Sequence, residues 1–303
     1  MLQNRSKGLL FYSDDRKPLP ELVVALYSAR KFIKEDIHVT LGPNTPKLFE
    51  LELARERYEY NRLETKLFKT GRRSKIGHWF QKPFVIQQAP FDTTLYYDCD
   101  HLFMSSIPKE KWDEVESYGL STGHDDGDPL QWRKYLKWIS YINKVTQEQT
   151  FGRADHKCYS RMNGGCIGYA KNETGLERIK TWIWFLNAFH ALPDNKRIVY
   201  VGDESSLSAT INMAGSGWLG EHMSMTRHPY EETVTEIPDN VVAWHYARSQ
   251  YKAPDLRKTL WLNTFREAWE ENFLGLQTIL EFYLTCNGSI NRELVSEVLP
   301  CLR

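Results

Sequence analysis

Apolar residues along this chain fall into short blocks that switch between a strand-like and a helix-like pattern. Gly8-Leu9-Leu10-Phe11-Tyr12 is a continuous apolar run, the pattern of a buried strand. Polar Ser13-Asp14-Asp15-Arg16 ends it, and from Leu19 to Ile33 the apolar residues Leu22, Val23, Leu26, Ala29 and Ile33 recur at helical spacing behind Pro18 and Pro20, residues suited to a helix start. A β-rich run, Ile37-His38-Val39-Thr40-Leu41, then stops at Gly42-Pro43-Asn44, a breaker cluster. Strand, helix and strand at this spacing predict a βαβ unit.

The alternation continues. Lys47 to Tyr58 reads as a helix, Tyr58 to Leu63 as a short strand, and Lys66 to Lys75 as a basic loop. Gly77 to Ala89 is helical in pattern, with Pro83 expected in its first turn. Thr93-Thr94-Leu95-Tyr96-Tyr97 is β-branched and aromatic, as a strand should be. Further on, Trp132 to Ile142, Gly175 to His190 and Glu204 to Met213 read as helices. Cys166 to Ala170 (behind a turn at Asn163-Gly164-Gly165), Arg197 to Val201 and Val241 to Trp244 read as strands. A helical tail from Leu260 to Cys286 carries Trp261, Phe265, Trp269, Phe273, Leu276 and Leu280 at helical spacing. The pattern predicts an α/β fold with a mixed, mostly parallel sheet flanked by helices, in a domain over residues 1–255, and a C-terminal helical extension over 256–303. Ligands of such sheets bind beyond the carboxyl ends of the strands. That rule puts Ser13 to Arg16 and Asp98 to Asp100 at one rim.

Asp98-Cys99-Asp100 directly follows the strand that ends at Tyr97. On an extended chain, side chains at i and i+2 point to one side. Two carboxylates so placed need a counter-charge, and a hard divalent cation, Mn²⁺ or Mg²⁺, supplies it through oxygen ligands. Such an ion can also hold a diphosphate and stabilise it as it leaves.

Around this triplet the wording of the chain becomes specific. Lys82-Pro83-Phe84 followed by Pro90-Phe91-Asp92-Thr93-Thr94-Leu95-Tyr96-Tyr97-Asp98-Cys99-Asp100 resembles the K-P … P-F-D-x-x-L-Y-x-D-x-D run of GT-A fold (Rossmann-like) glycosyltransferases, most of all the retaining, glycogenin-like members. The resemblance extends as ordered landmarks over roughly Gly8 to Lys252, and it is close at residue level only around the acid pair. It implies that Asp98 and Asp100 hold Mn²⁺ or Mg²⁺ against a nucleotide-sugar diphosphate. Asn163-Gly164-Gly165 is similar to the family segment that contacts the donor sugar. Asp203-Glu204-Ser205-Ser206-Leu207 is similar to the family's D-Q-x-x-L-N helix start, which implies catalytic positions at Asp203 and Glu204, with Glu204 standing where the family has Gln. Trp244-His245-Tyr246 and Lys252 resemble the H-x-x-G-x-x-K-P-W tail, with one residue more between His and Lys and no Gly or Pro-Trp. They imply His245 as third metal ligand and Lys252, with Lys82, as partners of the diphosphate. Phe11, Tyr12 and Asp14 fall where the family holds the nucleotide base. Gly123-His124-Asp125-Asp126 reads as an acidic, solvated turn.

Composition changes this picture little. The formal net charge is zero, which disfavours a protein gripping long nucleic acid by its phosphates. The basic residues Lys66, Lys69, Arg72, Arg73 and Lys75 keep a modified nucleic-acid base as a minority acceptor beside glycan, protein, lipid and small molecule. Aromatic residues make up 13% of the chain, with ten Trp, which suits a packed core as well as a sugar site. The five cysteines lack CxxC spacing, so free thiols in a reducing compartment are expected. No stretch reaches the length of a membrane span, and a cytoplasmic protein is expected, with the tail helices as a candidate homodimer surface. The expected reaction is transfer of a sugar from a nucleotide-diphosphate sugar, UDP-sugars favoured, to a hydroxyl acceptor with retention. A nucleotidyltransferase of related fold is the alternative, although Ser13 to Arg16 lacks the glycine-rich basic loop such enzymes carry. A non-catalytic binding protein that kept the fold is the other.

Overall fold

The computed structural model of the chain describes residues 6–14, 19–65, 78–124, 162–190, 203–214, 217–225, 233–246 and 255–279. In chain order the elements are β1 (Lys7–Ser13), α1 (Leu19–Phe32), β2 (Asp36–Leu41), α2 (Lys47–Arg55), β3 (Glu59–Arg62), α3 (Lys82–Gln87), β4 (Thr93–Tyr97), β5 (His101–Phe103), α4 (Lys109–Tyr118) and β6 (Leu120–His124). They continue with β7 (Met162–Ala170), α5 (Glu173–His190), α6 (Asp203–Ala214), β8 (Gly217–Trp218), β9 (Ala243–His245) and α7 (Leu256–Glu270). The predicted helix Trp132 to Ile142, the strand Arg197 to Val201, the basic segment Lys66 to Lys75, and residues Asp125, Asp126 and Lys252 lie outside the described residues.

Seven strands form a mixed, mostly parallel sheet flanked by helices, in the order β3-β2-β1-β4-β7-β6-β8, and β5 and β9 form a separate pair. The chain divides into two compact units that interleave in sequence. The first comprises Gly8–Lys66, Tyr97–Pro108 and Glu221–Arg303; the second comprises Met1–Lys7, Leu67–Tyr96 and Lys109–Gly220.

In the first unit, β1 pairs parallel with β2 from Gly8↔Asp36 to Ser13↔Leu41, and β2 pairs parallel with β3. Helix α1 is the crossover between β1 and β2. Leu22, Val23, Leu26 and Ala29, the residues at helical spacing in the sequence, are fully buried along it. Burying each of the Leu and Val side chains favours the folded chain by about 1.5–3 kcal/mol. The Ser28 hydroxyl accepts a hydrogen bond from the Phe103 backbone N–H at 3.0 Å, which fastens β5 to this helix. Helix α7 begins at Asp255, whose carboxylate caps it by accepting from Arg257 N at 2.9 Å. The expected tail helix does not run on unbroken. Asn272 and Leu274 adopt positive φ of 47° and 51°, so α7 stops at Glu270 and a 3-10 turn, Phe273–Gly275, follows. Gly275, also at positive φ, packs against the Glu52 carboxylate, where a Cβ would come within 2.6 Å.

In the second unit, β6 pairs antiparallel with β7 and parallel with β8. Here the sequence expectation of a turn before a strand is corrected. Asn163-Gly164-Gly165 lies inside β7, which runs over nine residues. The register passes from Thr122↔Ile167 to Gly123↔Asn163, so Gly164, Gly165 and Cys166 bulge out between paired positions. Thr122 Oγ1 closes the bulge, at 2.6 Å from the Asn163 carbonyl and 3.2 Å from that of Cys166. Helix α6 is tied to this strand because the Met162 N–H donates to Ser208 Oγ at 3.0 Å, and to α5 because Trp182 Nε1–H donates to Ser206 Oγ at 2.9 Å. Pro83 sits in the first turn of α3, as its missing N–H requires.

Candidate functional sites

The first site lies in the first unit. The sequence expectation put Asp98 and Asp100 on an extended chain with both side chains on one side. In the structure β4 ends at Tyr97, and Asp98-Cys99-Asp100 forms a turn leading into β5. The alternation rule therefore does not govern this pair. Strand β5 then pairs antiparallel with β9, and the register sets His101 directly opposite His245. The two imidazoles stack, with centroids 4.4 Å apart and planes 7° from parallel. The Tyr246 N–H donates to the Asp100 carbonyl at 2.7 Å, fixing the turn against the end of β9.

These constraints bring Asp100, His101 and His245 together, with their ligand atoms within 4.8 Å of one another. Asp100 Oδ1 is 3.2 Å from His245 Nε2 and 4.0 Å from His101 Nδ1. The Asp98 carboxylate is not part of that group, while its backbone carbonyl is 2.9 Å from His101 Nδ1. The donor set, a carboxylate oxygen and an imidazole nitrogen, fits a divalent ion that accepts both, Mn²⁺ before Mg²⁺. His101 was missed from sequence. The available signal was a histidine beginning an otherwise apolar strand, His101-Leu102-Phe103, directly after two acids.

The residues expected near the nucleotide base are buried. Phe11 is fully buried, with Tyr97 and Phe103 rings at 6.5 and 6.1 Å from it. Tyr12 is buried at the end of β1; burial holds its phenol well above the ordinary value, and the nearby Asp14 carboxylate adds to the rise. Tyr12 is therefore neutral at any physiological pH. Asp14, also buried, accepts from Asn44 N and Asn44 Nδ2 at 3.2 and 3.3 Å. Gly42 makes that possible, since a Cβ there would lie 2.1 Å from Asp14 Oδ1.

A second charged cluster lies in the second unit. Lys82 opens α3 and Asp203 opens α6. Their side chains are 4% and 9% exposed and form an ion pair at 2.6 Å. Lys82 Nζ also donates to the Gly164 carbonyl at 3.0 Å and stands 5.7 Å from the centre of the Tyr96 ring. The absent side chain of Gly164 leaves room for the pair: a Cβ would lie 2.8 Å from Asp203 Oδ2 and 3.1 Å from Glu204 Cγ, and the carboxylate would have to shift. Asn163 spends its Oδ1 on the Gly165 N–H at 2.7 Å, holding the bulge in shape. Lys82, Asn163, Gly164, Gly165, Asp203 and Glu204, expected from the resemblance, thus meet where the β7 bulge adjoins the start of α6.

No protein-family model matches the chain, and no curated protein matches it. Solved structures do. The galactosyltransferase LgtC, solved with donor and acceptor sugar analogues, aligns with 85% of this chain and 95% of its own, at 16% identity and a TM-score of 0.55. The bifunctional glycosyltransferase WbbM aligns with 88% of this chain and 50% of its own, at 9% identity and a TM-score of 0.58. The glycosyltransferase GlyE of Streptococcus pneumoniae TIGR4 aligns with 88% of this chain and 64% of its own, at 15% identity and a TM-score of 0.53. Identities this low carry the fold and not the chemistry. The chain has the GT-A fold of these glycosyltransferases.

Proposed function

We propose that the chain is a metal-dependent glycosyltransferase that moves a sugar from a nucleotide-diphosphate donor, UDP-sugars favoured, to a hydroxyl acceptor with retention at the anomeric carbon. The observation that carries this reading is the carboxylate–imidazole cluster of Asp100 and His245, 3.2 Å apart, in a chain of GT-A fold. The neighbours' names supply the class of reaction, and LgtC was solved with sugar analogues as donor and acceptor.

Asp100 and His245 would hold a divalent ion, Mn²⁺ or Mg²⁺. The ion would supply positive charge to the departing diphosphate, lowering the cost of the charge that develops there. Asp98, two residues away, offers a second carboxylate to the ion, and Lys252 a cation to the diphosphate. Asp14 at the end of β1, which shapes the turn around Asn44, is assigned to the nucleotide end.

Lys82 does not act on the diphosphate in this reading, because its ammonium is already spent on Asp203 and Gly164. Its task is to hold Asp203 in place beside the β7 bulge. Asp203 and Glu204 are assigned to the sugar and acceptor hydroxyls. Retention needs no further protein base, since an oxygen of the leaving phosphate can take the acceptor proton.

A panel of nucleotide sugars tests this, assayed for hydrolysis and transfer with and without Mn²⁺. Turnover with at least one donor, abolished by EDTA and strongly lowered by Asp100→Ala, is expected. NMR of the product should show the donor's anomeric configuration, and an inverted product rejects retention. Failure of every donor to turn over, with at least one raising the melting temperature, rejects the enzyme and leaves a binding protein.

A further inference from the structure

We infer that His101 is a positioning residue rather than a metal ligand, and that by holding the His245 imidazole in one orientation it makes the cluster prefer Mn²⁺ over Mg²⁺. The inference rests on the metal site proposed above.

Geometry separates the two roles. The His101 side chain has no solvent exposure, and both of its ring nitrogens are engaged. Nδ1 is 2.9 Å from the Asp98 carbonyl. A carbonyl can only accept, so Nδ1 carries the proton and donates. Nδ1 is also the His101 nitrogen 4.0 Å from Asp100, so the nitrogen on the acid's side has no lone pair for an ion. In the neutral imidazole Nε2 is then the acceptor, and the Ser224 hydroxyl at 2.9 Å donates to it. With both edges pinned, the ring can neither turn nor shift. Its face is pressed on the His245 ring at 4.4 Å and 7°.

His245 has one nitrogen, Nε2, beside the acid. A ligating imidazole left to rotate spends time misaligned, and the partners that fix its orientation contribute strongly to metal affinity. The contribution depends on the ion. Mn²⁺ accepts imidazole readily, whereas Mg²⁺ binds oxygen and keeps its waters. Fixing His245 therefore strengthens the Mn²⁺ site and leaves the Mg²⁺ site nearly as it was. One further residue, Ser224, belongs to the same device, since it locks the tautomer of His101.

The full chain tests this in three measurements on the wild type, His101→Asn and Ser224→Ala. Mn²⁺ affinity is read from the EPR signal of the free ion, and Mg²⁺ affinity by competition. His101→Asn keeps a donor in the place of Nδ1 but loses the stacked ring. It should weaken Mn²⁺ binding by about 10–100-fold, the usual loss when a supporting partner of a ligand is removed, with Mg²⁺ binding little changed. Equal loss of both ions would mean general damage and would overturn the inference. Ser224→Ala gives a test of sign. If His101 positions, Mn²⁺ binding weakens; if His101 is a ligand, freeing its Nε2 leaves Mn²⁺ binding equal or stronger, and the inference falls. The third measurement needs no metal. The His245 Cε1–H proton, shielded by the ring beneath it, should move downfield in the NMR spectrum of His101→Asn, and an unmoved signal refutes the stack. A wild-type chain that binds neither ion sinks the parent reading as well, whereas one that binds Mn²⁺ with an unaltered Mn²⁺/Mg²⁺ ratio in His101→Asn sinks this inference alone.

Discussion

Lys82 and Asp203 in the second unit and Asp100 and His245 in the first are both close polar pairs, at 2.6 and 3.2 Å, yet they differ in what neutralises the acid. Asp203 is 9% exposed and has a fixed cation from its own chain. Asp100 is 32% exposed, and its neighbour is an imidazole that offers a lone pair or a proton. The first arrangement is closed: charge is cancelled internally, and Lys82 ties β7, α3 and α6 together. The second is open, with donor atoms gathered and partly accessible. The difference marks the second cluster, and not the first, as the candidate place for an ion from solution.

Breaking the closed pair should have the largest effect on the fold. Lys82→Ala leaves a buried, uncompensated carboxylate and should cost about 3–5 kcal/mol, read from urea unfolding; Lys82→Met with Asp203→Leu should recover much of that loss, because the desolvation penalty leaves with the charges. Asp100→Ala should reverse the pattern, lowering turnover by about 10²–10³-fold, the range for loss of one strong transition-state charge contact, with the unfolding midpoint little altered. A drop in stability as large as that of Lys82→Ala would erase the distinction between the two clusters. Mn²⁺ at a hundredfold excess over its Kd should stabilise the wild type by about 2.7 kcal/mol and His245→Ala by much less; thermal melts with and without EDTA measure this.

The smallest effect concerns Asp255, a third acid closed by a cation of its own chain, here Arg257 in the helix that Asp255 caps. The Arg257 guanidinium beside it, followed by backbone donors, holds its carboxyl below the ordinary value against the opposing effect of burial. A depressed value in the folded state adds stability that is complete above the unfolded value of about 3.9 and is lost as pH falls through the folded one. Melting temperatures between pH 2 and 6 should fall more steeply for the wild type than for Asp255→Asn, which keeps a capping oxygen.

Much of the fold was legible because its signals are local. The apolar run at Gly8 to Tyr12 became β1, the helical spacing from Leu19 became α1, and Thr93 to Tyr97 became β4. The candidate sites were legible only in part. Lys82, Gly164 and Asp203 are far apart in sequence, and only the resemblance to a family united them. The bulge in β7 could not be read, because it depends on how β6 pairs with it. His101 escaped for a similar reason: its partner His245 lies 144 positions away (245 − 101) and is brought opposite it by strand register alone. The tail helix was overextended because the spacing of Trp269, Phe273 and Leu276 stays helical across Asn272 and Leu274, where the backbone turns left-handed.

The interleaving of the two units has a consequence for heredity and for protein engineering. The chain passes from one unit to the other at Lys7/Gly8, Lys66/Leu67, Tyr96/Tyr97, Pro108/Lys109 and Gly220/Glu221. A single genetic crossover therefore cannot exchange one unit for a homologous copy and leave the other whole. Grafting the whole unit that bears Asp100, or the whole unit that bears Asp203, onto a foreign chain takes several simultaneous splices.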